Sequence, residues 1–252
     1  MKRINFKRSI SCGELLYGIQ PVYSALLHKK RHFSELFISR GKKKSERIRE
    51  IRKLADEISI NINEVPGQKL NEMCPNVVHQ GVVIRCSILP FSPISDLPKI
   101  IEDKLPLIVV LDQIEDPHNL GAVLRTCGFF DVRAVVLSKY NSCGLTPVVS
   151  KTSSGVAEWL TVISTTNLTR FIQKKKSEGY WIIGLAEESN QSFSKLERYN
   201  PLILVLGNEG RGIRPLIRKQ CDWLVSITGN SKVSSLNVSS AAAIAINHFY
   251  IP

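Results

Sequence analysis

Leu107-Ile-Val-Val-Leu-Asp-Gln-Ile-Glu-Asp-Pro-His-Asn-Leu-Gly-Ala-Val-Leu-Arg-Thr126 is the stretch that decides the fold. Its first five residues are all apolar and rich in β-branched side chains, which reads as a strand buried on both faces. The chain then turns through Asp116-Pro117 and enters a helix near Asn119, expected over Leu120–Phe130. The alternation repeats downstream. Strands are expected at Ala134–Leu137, Leu160–Ile163, Trp181–Leu185, Leu202–Leu206 and Leu224–Ile227, and helices at Leu168–Glu178, Pro215–Lys219 and Val238–Phe249. Apolar strands separated by helices predict an α/β fold whose parallel sheet is covered on both faces. In such sheets ligands bind beyond the carboxyl ends of the strands.

Upstream the texture differs. Leu89–Lys104 holds Pro90, Pro93 and Pro98 with little periodicity, and reads as an interdomain linker. Residues 11–88 read as a smaller α/β unit. It has a helix over Pro21–His28, strands at Glu35–Ser39, Asn61–Val65 and Gly81–Cys86, and a charged helix from Gly41 through Ile58. Residues 1–10 form a basic arm, and the larger domain runs over 105–252. A chain of 252 residues is long enough for both units to bury a core.

The formal net charge is +12, and residues 1–53 carry fifteen Lys and Arg against four acids. So concentrated a positive field attracts a polyanion and releases its counterions, which favours nucleic acid as the partner. Lys42, Lys43, Lys44 and Arg47 are the candidate RNA contacts. The run around them has few large apolar residues, so a membrane surface fits less well. No apolar run reaches spanning length, and the basic arm lacks the apolar core of a secretory signal. The expected location is cytoplasmic, with an organelle matrix left open by the arm. The six cysteines form no Cys-x-x-Cys pair and no zinc-finger spacing, so reduced thiols and no metal are expected.

Three segments carry candidate chemistry. In the opening stretch Asn119 sits where a helix N-cap would, and Arg125 follows six residues later. An Arg facing inward there needs an anionic partner, and one facing outward is simply solvated. The second segment is Leu206-Gly-Asn-Glu-Gly-Arg-Gly-Ile213, a glycine-rich loop after an apolar strand. Its spacing fits neither the dinucleotide fingerprint nor a P-loop. The third is Val233-Ser-Ser-Leu-Asn-Val-Ser-Ser-Ala-Ala-Ala-Ile-Ala-Ile-Asn247, a polar loop running into an Ala-rich helix. Each is weak alone; the order of the three, with strands before the first two, is specific.

Together they resemble motifs one, two and three of the TrmH family of SPOUT RNA 2′-O-methyltransferases, from Leu107 to Phe249. Leu16-Tyr-Gly-Ile-Gln-Pro-Val22 and His79-Gln-Gly-Val82 further resemble the L30e-like substrate-binding domain of the 23S rRNA (guanosine-2′-O-)-methyltransferase subgroup. The resemblance implies a C-terminal SPOUT domain with a deep trefoil knot, a feature nothing in the periodicity suggests. It implies S-adenosylmethionine as cofactor, held at Gly207, Asn208, Gly210, Ile227 and Leu236. By position, Asn119, Arg125, Glu209, Ser235 and Asn237 match the family's active-site residues. It also implies a homodimer with the site near the subunit interface. The chain departs from the family at Thr228, where a proline usually follows the isoleucine of the cofactor loop.

The expected reaction is methyl transfer to the 2′-oxygen of a ribose, guanosine in large-subunit rRNA, with Arg125 orienting the ribose or its phosphate and stabilising alkoxide charge, its part as base left open, and His118 either a second candidate base or a plain turn residue. Glu209 is expected to fix the arginine. Three rivals stand beside it. A tRNA methyltransferase would share the chemistry. A non-catalytic ribosome-assembly factor would not need Arg125, Glu209 and Asn237 together. A nucleotide-binding oxidoreductase lacks its glycine fingerprint here.

Overall fold

The computed structural model describes residues 13–42, 45–97, 106–193, 196–197, 199, 201–230 and 235–250, and the chain divides into two compact units, 1–90 and 91–252. The basic arm, Lys43, Lys44 and residues 98–105 lie outside the described residues.

In the first unit, β1 (Glu14–Tyr17), β2 (Phe33–Ser39), β3 (Asn61–Val65) and β4 (Val82–Cys86) form a sheet in the order β1-β4-β2-β3. Only β2 and β3 run parallel. Alternating side chains supply two cores. Leu16, Leu36, Ile38 and Ile84 pack with Val22 and Leu26 of α1 (Ile19–His28) and Ile48 and Ile51 of α2 (Glu46–Glu57). Tyr17 and Val83 face the other way, onto Leu70 of α3 (Gly67–Met73).

Two elements here, β1 and α3, escape the sequence reading because neither has a long periodic run. The charged helix also starts later than expected, at Glu46 instead of Gly41, after a short 3-10 turn at Arg40–Lys42. Three lysines at a helix N-terminus would oppose its dipole, whereas Glu46 in the first turn complements it.

The second unit carries a six-stranded sheet in the order β10-β8-β9-β5-β6-β7, every neighbouring pair parallel. Its strands are β5 (Leu107–Leu111), β6 (Ala134–Ser138), β7 (Val162–Thr165), β8 (Trp181–Leu185), β9 (Leu202–Leu206) and β10 (Trp223–Val225). All residues of β5, β6 and β9 are buried, as expected of central strands covered twice. Ile108, Val110, Val136 and Ile203 pack with Leu168, Phe171 and Ile172 of α6 (Leu168–Ser177) and Ile217 of α7 (Pro215–Arg218). On the remaining helices, α4 (Pro117–Phe129) packs against both α5 (Pro147–Thr152) and α8 (Val238–Phe249), and α8 also meets β9.

Asn119 is not the cap of α4. Asp116 caps it, accepting the His118 N–H at 2.9 Å, and Pro117 occupies the first turn where a missing N–H costs nothing. Asn119 is thereby the third residue of the helix, with its side chain free for another task. Of the segment expected as a linker, Ser92 N–H donates to Val162 O at 2.8 Å and Leu97 packs on the sheet core, so residues 91–97 are fastened to the second unit. The knot expected from the family resemblance depends on how the chain passes from Asn230 to Ser235, and residues 231–234 lie outside the described residues. No helix among the described residues is long and apolar enough to cross a membrane.

Among the described residues, Cys74, Cys86, Cys127, Cys143 and Cys221 take part in no disulfide. Burial pushes the Cys221 thiol up to about 12. Burial, with Asp116 nearby, pushes Cys143 up to about 11. Maleimide labelling at pH 8 should therefore be slow at both in the folded protein and fast after denaturation.

The α4–α5 contact is close because Gly121 has no side chain. A Cβ there would lie 2.6 Å from Thr152 Cβ and 3.0 Å from the Val149 carbonyl oxygen. Alanine improves helix propensity by up to about 1 kcal/mol, but the overlap costs about 1–3 kcal/mol. Gly121→Ala should thus destabilise on balance, lowering the melting temperature by roughly 2–6 °C in a calorimetric scan.

Candidate active site

The carboxyl ends of β5, β8, β9 and β10 meet at one edge of the sheet. Asp112, directly after β5, is fully buried. Its carboxylate accepts from the Arg214 backbone N–H at 3.0 Å and from Arg214 Nε at 2.8 Å, and Arg214 Nη2 lies 2.7 Å away. Asp112 N–H in turn donates to Leu206 O at 2.8 Å. Both ends of the glycine loop after β9 are therefore pinned to one residue.

The loop is closed from within as well. Asn208 and Gly212 exchange backbone hydrogen bonds at 3.1 and 2.8 Å. Asn208 Oδ1 accepts from the Gly210 N–H at 3.0 Å and the Arg211 N–H at 3.3 Å, and Asn208 Nδ2 donates to Gln113 O at 2.9 Å. The turn crosses itself tightly: a Cβ on Gly207 would lie 2.2 Å from the carbonyl carbon of Gly212 and 2.3 Å from Ile213 N. Only glycine permits that approach.

Glu209, at the tip, joins three segments. Its Oε1 accepts from Asn119 Nδ2 at 2.7 Å, from Asn237 Nδ2 at 2.7 Å and from the Val238 N–H at 3.4 Å. Asn237 Nδ2 also donates to Asn119 Oδ1 at 3.0 Å. The other side of Asn237 caps α8, its Oδ1 accepting the Ser239 N–H at 2.9 Å. One carboxylate thus fixes the start of α4, the glycine loop and the start of α8 against each other.

Beside this network lies a cavity of about 300 Å³, walled by residues 185–188, 206–213 and 225–227 with Ser235, Leu236, Val238 and Ala241. Seven expected residues line it: Gly207, Asn208, Glu209, Gly210, Ile227, Ser235 and Leu236. Leu236 is 46% exposed, an apolar surface that a bound group would cover. Among the described residues the backbone N–H groups of Ile227 and Leu236 donate to no protein acceptor. Thr228, standing where the family has proline, hydrogen-bonds through Oγ1 to Ser192 Oγ at 3.0 Å, so the loop is tethered by a side chain there.

Arg125 does not join the network. Six helical residues turn it about 240° around α4 from Asn119. It is exposed and makes no hydrogen bond or ion pair among the described residues. The expectation that Glu209 holds this arginine fails for that reason; Glu209 holds two asparagines. Arg125 instead shares an outward stripe with His118, Ala122 and Phe129, the last 81% exposed. His118 is a cap-region residue whose Nδ1 lies 3.5 Å from Thr152 Oγ1. Among the expected RNA contacts, Arg47 stacks over the Tyr23 ring at 4.2 Å and pairs with Glu50 at 2.5 Å, so it is partly engaged. Lys43, Lys44 and the side chain of Lys42 are outside the described residues.

Two contributors escaped the sequence reading. Asp112 was visible as an acid ending an all-apolar strand, but not its partner 102 residues away. The acids Glu187 and Glu188 line the cavity after β8, with Glu188 paired to Arg218. The rule that ligands sit beyond strand ends pointed to β8 without naming them.

The sequence matches the SpoU rRNA methylase family over residues 106–247, which covers the cavity and the Glu209 network. The chain belongs to that family. Residues 15–92 match the family described as RNA 2′-O ribose methyltransferase substrate binding. The 23S rRNA (guanosine-2′-O-)-methyltransferase RlmB of Shewanella oneidensis is 35% identical over 92% of this chain and 95% of its own length. The RlmB of Haemophilus influenzae is 36% identical over 93% and 96%. The SpoU methyltransferase AviRb from Streptomyces viridochromogenes, solved with AdoMet, shares the fold with a TM-score of 0.77 at 20% identity, over 94% of this chain and 88% of that one.

The residues around the cavity suit S-adenosylmethionine. Leu206, Ile213 and Leu236 put apolar side chains around the cavity for an adenine, and Glu187 and Glu209 complement a cationic ligand. Because Gly207 has no room for a methyl, Gly207→Ala must open the loop at a cost of about 1–3 kcal/mol. Calorimetric titration should show S-adenosylmethionine affinity at least about ten-fold weaker, a loss of about 1.4 kcal/mol. Affinity equal to that of the wild type would mean that the loop does not shape the cavity.

Proposed function

We propose that this chain transfers a methyl group from S-adenosylmethionine to the 2′-oxygen of a guanosine ribose in large-subunit rRNA, working as a homodimer. The observation that carries the reading is the Glu209 carboxylate. It locks Asn119 and Asn237 together at 2.7 Å each on the rim of a cavity suited to the cofactor.

When bound, the cofactor supplies an electrophilic methyl on a sulfonium. Gly207, Ile227 and Leu236 would hold it, mostly through backbone groups. Asn119 and Asn237, preset by Glu209, position the ribose together with Ser235, and positioning alone lowers a barrier by several kcal/mol. Arg125 acts on the nucleophile. Its guanidinium is a charged donor with no acceptor site, so its natural part is to orient the ribose or its phosphate and stabilise negative charge on the 2′-oxygen.

The position of Arg125 supports the dimer. It projects away from its own Glu209 network, on a stripe with Phe129, while Ile244 of the neighbouring α8 is 42% exposed. Apolar side chains on adjoining exposed helices call for a covering partner. A second copy seated there would bring each Arg125 close to the other copy's site. An rRNA substrate is supported by relatives named for it that align along both units. A tRNA substrate is the second reading: one relative, from Bacillus subtilis, is named a putative TrmH family tRNA/rRNA methyltransferase. The TrmH/SpoU tRNA modifying enzyme of A. aeolicus covers only 58% of this chain, at a TM-score of 0.53. An rRNA substrate supports a cytoplasmic location, or an organelle matrix, where ribosomes are also made.

Methyl transfer from labelled S-adenosylmethionine to rRNA and to tRNA, assayed separately, tests the reading. Label should appear at a ribose of large-subunit rRNA. Arg125→Ala should lower kcat by about 10²–10³-fold, as expected for a lost charge-stabilising donor, with cofactor affinity unchanged within a few-fold. Label in tRNA alone would replace the substrate, and equal loss of cofactor binding would make Arg125 structural.

A further inference from the structure

The loop after β6, residues 139–145, is absorbed by no role so far. It leaves the sheet at the same carboxyl edge as the site, from the strand adjacent to β5. Two hydrogen bonds tie it and the end of β6 to the Asp112–Asn119 segment, and a third joins the loop to β6. Ser138 Oγ accepts the Gln113 N–H at 3.1 Å, Ser138 and Ser142 share a hydrogen bond at 2.7 Å, and Cys143 N–H donates to Ile114 O at 2.9 Å. On the other side Lys139 N–H donates to Thr165 O at 2.8 Å. Asn141 takes the left-handed conformation at φ 55°, which turns the tip sharply.

A loop held so firmly presents Tyr140 with 64% of its surface exposed. Lys139 Nζ stands 6.0 Å from the centre of its ring. Other exposed aromatics differ. Phe129 is apolar throughout and has the neighbouring α8 beside it, Trp181 opens β8 at the opposite edge of the sheet, and Phe91 and Trp159 are each 37% exposed. Among the described residues Tyr140 combines an exposed ring, an adjacent cation and a tie to the segment that carries Asn119.

We propose that Lys139 and Tyr140 form a stacking platform for a nucleobase of the RNA beside the target ribose, with Lys139 on the neighbouring phosphate. The proposal rests on the RNA-methylating reading and deepens it. To expose one 2′-hydroxyl to a cavity, an enzyme must splay the strand at that nucleotide, and an adjacent base then loses a stacking neighbour. An aromatic face restores the stack without regard to sequence, and a lysine beside it binds phosphate as a point charge.

The test is RNA binding by the full chain, read separately from transfer. The probes are a short single-stranded oligoribonucleotide and its abasic ribose-phosphate counterpart. Tyr140→Trp should show indole quenching, over the wild-type background, with the oligoribonucleotide and none with the abasic strand. Tyr140→Ala should bind the oligoribonucleotide about ten-fold more weakly, the scale of one lost base–aromatic stack, with an unchanged salt slope. Tyr140→Phe should keep wild-type affinity, since the ring is what stacks, and Lys139→Ala should flatten the salt slope by about one contact. Unchanged cofactor affinity in all four variants shows that the fold is intact.

Wild-type RNA affinity in Tyr140→Ala, or equal quenching by the abasic strand, would overturn the platform. So would a change in oligomeric state with RNA affinity untouched, because the ring would then be a protein contact. Quenching and binding as expected, without methyl transfer by the wild type, would support the platform and sink the methyltransferase reading instead.

Discussion

The ion pair between Asp112 and Arg214 is the constraint on which the site depends. A carboxylate removed from water is costly unless it is paired and hydrogen-bonded, and Asp112 meets the backbone N–H, Nε and Nη2 of one residue. The partner guanidinium keeps contact with solvent, so the pair contributes geometry more than stability. That geometry ties the end of β5 to the end of the glycine loop. The Asp112 N–H bond to Leu206 ties it to the loop's beginning. With both ends fixed, the loop has room for only one path, and Gly207 is where that path closes on itself.

From there the chemistry spreads by hydrogen bonds through side chains of low entropy. Glu209 draws Asn119 and Asn237 to it, and Asn237 also caps α8. The start of a helix, the tip of a loop and the start of another helix are presented as one surface. Each polar group there serves position and local structure at once, which is why a cavity with few charged side chains can be specific.

Helix phase divides the labour. Asn119 and Arg125 belong to one short segment of sequence, yet α4 turns them to different sides. The first serves the chain's own network; the second faces outward beside Phe129. A reading of the segment as one motif places them together, and the three-dimensional arrangement separates them unless a second copy completes the site.

Much of this was legible in the residues. The all-apolar strands at Leu107–Leu111 and Leu202–Leu206, the helices between them and the glycine loop follow from local pattern, because burial on both faces writes itself as an unbroken apolar run. The cavity residues Gly207, Ile227 and Leu236 were legible only through the family resemblance. The short elements β1 and α3 were not, since four and seven residues carry too little periodicity. Nor was the cap of α4, where Asp116 and Asn119 are both good capping residues and only the backbone path chooses. What the sequence determined by itself was which elements form and which loops hold polar groups, since these depend on neighbours along the chain. What only the tertiary structure decided was which of those groups meet. Asp112 finds Arg214, and Glu209 finds Asn119 and Asn237, across 102, 90 and 28 residues. Strand order sets those separations, and strand order is settled by packing the whole sheet.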